Sequence, residues 1–196
     1  MNHTADELIK ICYRYYPKGV SDDNPGYKDT EENRRLVATR QREGESDSAW
    51  NRFIRERLMP RFPGKSVQNL SLHLPVGHLD ACGSVRIYSG KLTPEVFHDY
   101  LELHVSFVAP YYLLFACRTS PITQRLEGKL NLLPSEEPYA RAIVEEVGAT
   151  FHGYEFLSPD VGCVVVPDIV VNLQRWGEVT LYHALFTDNL SLLSIP

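Results

Sequence analysis

Residues 97–108, FHDYLELHVSFV, alternate in parity: Leu101, Leu103, Val105 and Phe107 fall on one side, Tyr100, Glu102, His104 and Ser106 on the other. A period of two sends successive side chains to opposite faces of a sheet, so this stretch predicts a β-strand with one apolar and one polar face. Pro110 lacks a backbone donor and should break or bulge the ladder. Beyond it, Tyr111 to Cys117 is apolar at both parities, which predicts an inner strand covered on both sides. Upstream, Leu70, Leu72 and Leu74 alternate with Asn69, Ser71 and His73, and 81–89 reads as a further strand. Downstream, the loop after Cys117 runs to about Pro134; 161–171 is valine-rich but interrupted by Pro167, and 179–186 is apolar on both faces, predicting another inner strand.

The first third has a different period. Thr4 with Glu7 forms a capping box ahead of Leu8, Ile9, Ile11, Cys12, Tyr15 and Tyr16 at helical spacing, and Pro17 with Gly19 stops the helix. Thr30 caps a charged helix that ends at Gly44, and Ser46 to Ser48 opens a third, with Trp50, Phe53, Ile54 and Leu58 on one stripe. A later helix follows Ser135, its acidic first turn (Glu136, Glu137) suited to the positive end of the macrodipole and its core stripe Tyr139, Ile143, Val144 and Val147. Helices followed by a run of strands predict an α+β fold: one domain over 1–196, helical over 1–64 and sheet-rich over 65–196. The expected sheet is largely antiparallel, with about five or six strands and helices packed mainly on one face.

At 196 residues with 43% hydrophobic and 23% charged residues, the chain can bury a core without staples. Cys12, Cys82, Cys117 and Cys163 lie far apart, with no CxxC pair, and read as reduced core cysteines. The start, MNHTADELIK, is not a basic region leading into an apolar core, and no apolar run reaches bilayer length, so the expected setting is cytoplasmic, without membrane contact. Charge is uneven. Residues 1–94 carry 15 Lys and Arg against 12 Asp and Glu, whereas residues 95–196 carry 5 against 13. An acidic half repels phosphate backbones and attracts cationic surfaces, which argues against nucleic acid as ligand and for a basic protein.

Chemistry-bearing residues are few. His73, His78 and Asp80 are ordinary zinc-ligand types, but Pro75 and Gly77 place them in a turn and their spacing matches no compact metal signature. Glu102 beside His104, on the strand's polar side with His98 and Tyr100, could form a carboxylate and imidazole pair for proton transfer, yet the sequence identifies no nucleophile to serve it. The plainer reading of that face is a half-exposed polar strand surface, with a recognition surface as a middle reading. No nucleophile elbow, phosphate loop or dinucleotide fingerprint occurs, so no catalytic residue, cofactor or metal is assigned. Trp176, in the polar turn 174–178, is positioned to be exposed.

Four short stretches, CYRYYP (Cys12 to Pro17), RFPG (Arg61 to Gly64), SLHLP (Ser71 to Pro75) and LFTD (Leu185 to Asp188), resemble segments of small bacterial immunity proteins encoded beside polymorphic toxins. The resemblance implies a cytoplasmic inhibitor that binds a cognate protein toxin, often a nuclease, and it brings no catalytic residues. Contacts are expected at Glu102, His104, Glu136, Glu137 and Trp176. The rival readings are a small metal-dependent hydrolase and a scaffold or self-associating module.

Overall fold

The computed structural model describes residues 3–71, 80–88, 99–119, 126–171 and 176–187. Helix α1 (Ala5–Cys12) carries the expected capping box, with the Thr4 N–H donating to the Glu7 carboxylate at 2.7 Å. Helix α2 (Glu31–Gly44) starts at Thr30, whose hydroxyl accepts from the Asn33 N–H. Ser48 caps α3 (Ala49–Arg52), which continues through the wide π turns of Phe53–Leu58 into α4 (Met59–Arg61).

A six-stranded sheet comes next, in the order β1 (Val67–Asn69), β2 (Cys82–Tyr88), β3 (Tyr100–Ser106), β4 (Tyr111–Thr119) and β5 (Leu126–Lys129), antiparallel throughout. Strand β6 (Glu155–Phe156) pairs with the start of β4 in parallel. The α+β architecture, the helical N-terminal region and the largely antiparallel sheet expected from the sequence are all present, and β4 is the inner strand predicted from its apolar run. Among the described residues no helix is long and apolar enough to cross a membrane.

Helices lie on both sides of the sheet rather than mainly on one. One side receives Val85, Ile87, Leu101, Leu103, Leu114 and Ala116, against Trp50, Phe53, Ile54 and Leu58 from the α3–α4 stretch and Ala140, Ile143 and Val147 from α5 (Glu137–Thr150). The opposite side, with Cys82, Tyr100, Leu113, Phe115 and Cys117, is covered by Leu8, Cys12 and Tyr16 of α1, by Leu36, and by the C-terminal run Val166 to Phe186. This second layer closes the face on which the polar members of FHDYLELHVSFV project.

Four local expectations are corrected. The apolar run 179–186 is not a strand: it holds helix α7 (Leu181–Leu185), opened by Thr180 with the His183 ring reaching back to the Thr180 N–H at 3.0 Å. Short apolar runs carry no periodicity long enough to separate buried helix from buried strand. The valine-rich 161–171 stretch is likewise not a full strand; after α6 (Pro159–Gly162) it holds only isolated bridge residues, Val165, which pairs with Thr180, and Val171. Helix α5 begins after Glu136 rather than at a Ser135 cap, and it leaves Val144 exposed while Ala140 takes the core position. Finally, β5 lies within what reads as a loop, its four residues too few and too polar to show alternation. The Leu72 and Leu74 part of the first strand lies outside the described residues.

Candidate functional site

The antiparallel register sets Ser84 opposite His104 and Arg86 opposite Glu102, all four on the face closed by the C-terminal layer. Directly opposed side chains in such a pair stand close enough to bond, and here they form one continuous array. Ser84 Oγ lies 2.8 Å from His104 Nδ1, His104 Nε2 lies 3.0 Å from Glu102 Oε1, and Arg86 Nε donates to Glu102 Oε2 at 2.8 Å. Cys82 Sγ sits 3.4 Å from the same His104 Nδ1. The His104 ring stacks on Phe115, with centroids 5.5 Å apart and planes 9° apart, and meets Phe186 edge-on. Relative exposure is 2% at His104, 6% at Glu102 and 8% at Ser84, so the array is interior.

Burial and pairing pull the ionisation of these groups in opposite directions. Burial disfavours the imidazolium, but Cys82 and the Glu102 carboxylate outweigh it and push the His104 pKa up to about 10. Burial would likewise raise Glu102, but His104 and Arg86 outweigh it and hold the carboxyl below its ordinary range. The pair is therefore ionic at neutral pH, flanked by a second cation. A histidine whose folded pKa is raised stabilises the fold fully below its unfolded value, 6.5, and loses that contribution as pH rises toward about 10. Glu102 behaves conversely: its contribution is present above 4.5 and is lost as pH falls through its lowered folded value. The urea midpoint should thus be highest between about pH 4.5 and 6.5 and decline through alkaline pH. His104→Phe should flatten the alkaline decline; an equal decline in that variant would refute the assignment.

The ordering Ser84, His104, Glu102 has the connectivity of an acyl-transfer triad, with Cys82 as a second thiol or hydroxyl neighbour of the imidazole. Its burial closes that face to a substrate, and Arg86 occupies the carboxylate oxygen that His104 leaves free. Burial also corrects the expected placing of Glu102 and His104 on an exposed contact face: both point into the second core layer. Sequence reading paired these two but missed Ser84, Arg86 and Cys82. The available signal was parity, since Cys82, Ser84 and Arg86 alternate on the neighbouring strand as Glu102 and His104 do on theirs.

The other expected contacts separate. Glu136 is turned inward: Arg118 Nε and Nη2 donate to its two oxygens, each at 2.7 Å, and the Leu133 N–H adds a third bond. Burial raises its pKa, but Arg118 and the Leu133 amide prevail and keep it lowered. Glu136 thereby anchors the entry to α5 instead of facing a partner. Glu137, its neighbour, is exposed at the start of α5. Trp176 is 46% exposed, three residues before Val179, which packs in the second layer on the side of the sheet opposite α5. Glu137 and Trp176 therefore belong to different surfaces. Of the zinc-type residues, His73 and His78 lie outside the described residues, as does His98; among the described residues no cluster of three metal-ligating side chains occurs.

The surroundings of Trp176 are more distinctive. The turn Trp176 to Glu178 turns at Gly177 (φ +79°) and feeds into the Val165–Thr180 bridge, fixed by Val166 N–H to Val179 O at 2.8 Å and Leu181 N–H to Val164 O at 2.9 Å. Only glycine adopts that φ freely. Val164 and Val166 turn inward to varying degree, whereas Val165, 45% exposed, and Pro167 face out. Asp160, Asp168 and Glu178 are exposed nearby and make no ion pair among the described residues. Comparison with protein-family models, with curated proteins and with solved structures finds no match to this chain.

Proposed function

We propose that this chain is an immunity protein, a cytoplasmic inhibitor that binds a cognate bacterial toxin and neutralises it by occluding its active site or substrate surface. One observation carries the reading. The imidazole and carboxylate best placed to exchange protons are enclosed in the core with their partners bonded, while the acidic C-terminal half presents the Trp176 indole and the carboxylates of Asp160, Asp168 and Glu178 to solvent. Groups disposed in this way suit recognition of a protein surface rather than convergence on a reacting atom. The sign of the charge specifies a basic partner, and nuclease toxins are basic because they bind phosphate backbones.

The test is co-expression with the product of the gene immediately upstream in the source genome. Growth should be restored, and the purified pair should form a complex whose association slows as ionic strength rises. Unrelieved toxicity with no complex at micromolar concentrations rejects the proposal. A second reading, a serine hydrolase, is favoured by the Ser84–His104–Glu102 connectivity. Labelling of native protein by a fluorophosphonate, abolished in Ser84→Ala, would establish it in place of the first.

A further inference from the structure

Three kinds of exposed residue lie on the two segments joined at the Val165–Thr180 bridge. The first is apolar: Val165 and Pro167 face outward from a segment whose alternate residues, Val164 and Val166, turn toward the core. The second is Trp176, which lies four residues from Thr180 and hence at most ~14 Å along the chain from the bridge. Its indole is a large, rigid contact surface with little rotamer entropy to lose on binding. The third is charge. Asp160, Asp168 and Glu178 have no ion-pair partner among the described residues, and Lys18, beyond the end of α1, is held 4.2 Å over the Tyr13 ring, whose hydroxyl donates to Pro167 O.

The patch is also held rigid. Asp168 adopts a left-handed conformation (φ +59°), its carbonyl accepting from the Gly19 N–H at 2.8 Å. Side chains other than glycine take up this conformation at a cost unless neighbouring structure fixes it; here α1's exit loop does so, and thereby presents the carboxylate outward at the edge of the patch. An apolar centre on a fixed backbone, its rim carrying the carboxylates of Asp160, Asp168 and Glu178 and the ammonium of Lys18, has the composition of a protein-docking surface with an acidic balance. It is poorly suited to another copy of itself, since a two-fold contact would set the acidic rims against each other.

We infer that Val165, Pro167 and Trp176, rimmed by Asp160, Asp168 and Glu178, form the docking surface for a basic partner protein, the indole entering an apolar recess ringed by lysine or arginine. The inference rests on the immunity reading and locates its interface. It is tested by the affinity of the purified upstream gene product for wild-type protein, Trp176→Ala, Val165→Ser, Glu178→Lys and, on the opposite side of the sheet, Glu137→Lys. All four positions are exposed, so circular dichroism and thermal midpoints should match wild type. Trp176→Ala is expected to weaken binding about 30-fold or more, chiefly through faster dissociation. Glu178→Lys should slow association and reduce its salt dependence, and Glu137→Lys should leave both unchanged.

If wild type binds and the three patch variants bind equally well, the surface is overturned while the immunity reading stands. If wild type does not bind the upstream product, both fall. Concentration-dependent dimerisation of wild type that Trp176→Ala abolishes would identify a second copy as the occupant and overturn the proposal too.

Discussion

Glu102→Ala is expected to cost about 3–5 kcal/mol of folding stability, the loss typical of removing one partner from a buried ion pair. The deletion strands two cations at once. His104, 2% exposed, keeps its imidazole inside the second core layer with no carboxylate on Nε2, and Arg86 loses the acceptor of its Nε–H. Losing the carboxylate removes one of the two groups that raise the His104 pKa, so the alkaline decline in stability should become shallower as the midpoint falls. Replacing the whole array with apolar groups, as in Arg86→Met, Glu102→Leu and His104→Phe combined, should restore most of the loss, because a buried ion network gains little over a well-packed apolar one. Urea unfolding monitored by circular dichroism distinguishes these outcomes. A triple variant no more stable than Glu102→Ala would mean that the array contributes net stability of its own.

The other large effect lies across the sheet. Trp50 is 1% exposed, packs on Phe53 and Phe107, and donates from Nε1 to Asn69 Oδ1 at 3.2 Å. Trp50→Ala should cost about 3–5 kcal/mol through lost burial and the cavity left behind. The ring lies directly on the backbone of β2: a Cβ at Gly83 would stand 2.4 Å from two of its carbons. Gly83→Ala should therefore destabilise by about 1–3 kcal/mol through overpacking against a rigid indole. Once Trp50 is already alanine, that methyl has room, so the double variant should lose clearly less than the sum of the two singles. Urea midpoints of the four proteins decide this, and strict additivity would show that the ring does not hold Gly83 to its present size.

How much of the fold could be read from the sequence depended on the length of each pattern. Strand β3 was legible because its seven residues, Tyr100 to Ser106, alternate without interruption, and α1 and α2 because Thr4 and Thr30 stand at their starts with helical periodicity behind them. The helix within 179–186 was not, since Leu181, Tyr182, Ala184 and Leu185 are all buried and any period is masked. That single misreading had a consequence for the site. With helices expected mainly on one face and 179–186 read as a strand, the polar parity of β3 stays open and Glu102 and His104 read as half-exposed; with α1, Leu36, α7 and Phe186 laid over that face they become interior. Parity establishes that two residues share a face, and it carries no information on whether another layer lies above that face. Trp176 was legible for the opposite reason: a polar turn with Gly177 leaves an indole no apolar neighbours in sequence to pack against.

The Tyr16 hydroxyl donates to the Ala184 carbonyl at 2.9 Å, across 168 positions of chain. During translation α1 thus emerges long before its covering segment has been made. The ribosome must add everything through residue 186 before Phe186 can cover the imidazole, so the nascent chain carries an open, partly charged sheet surface from the making of β3 until that of α7. Closure of that surface requires α7, and until α7 has been made the face is exposed to proteases and to misassociation.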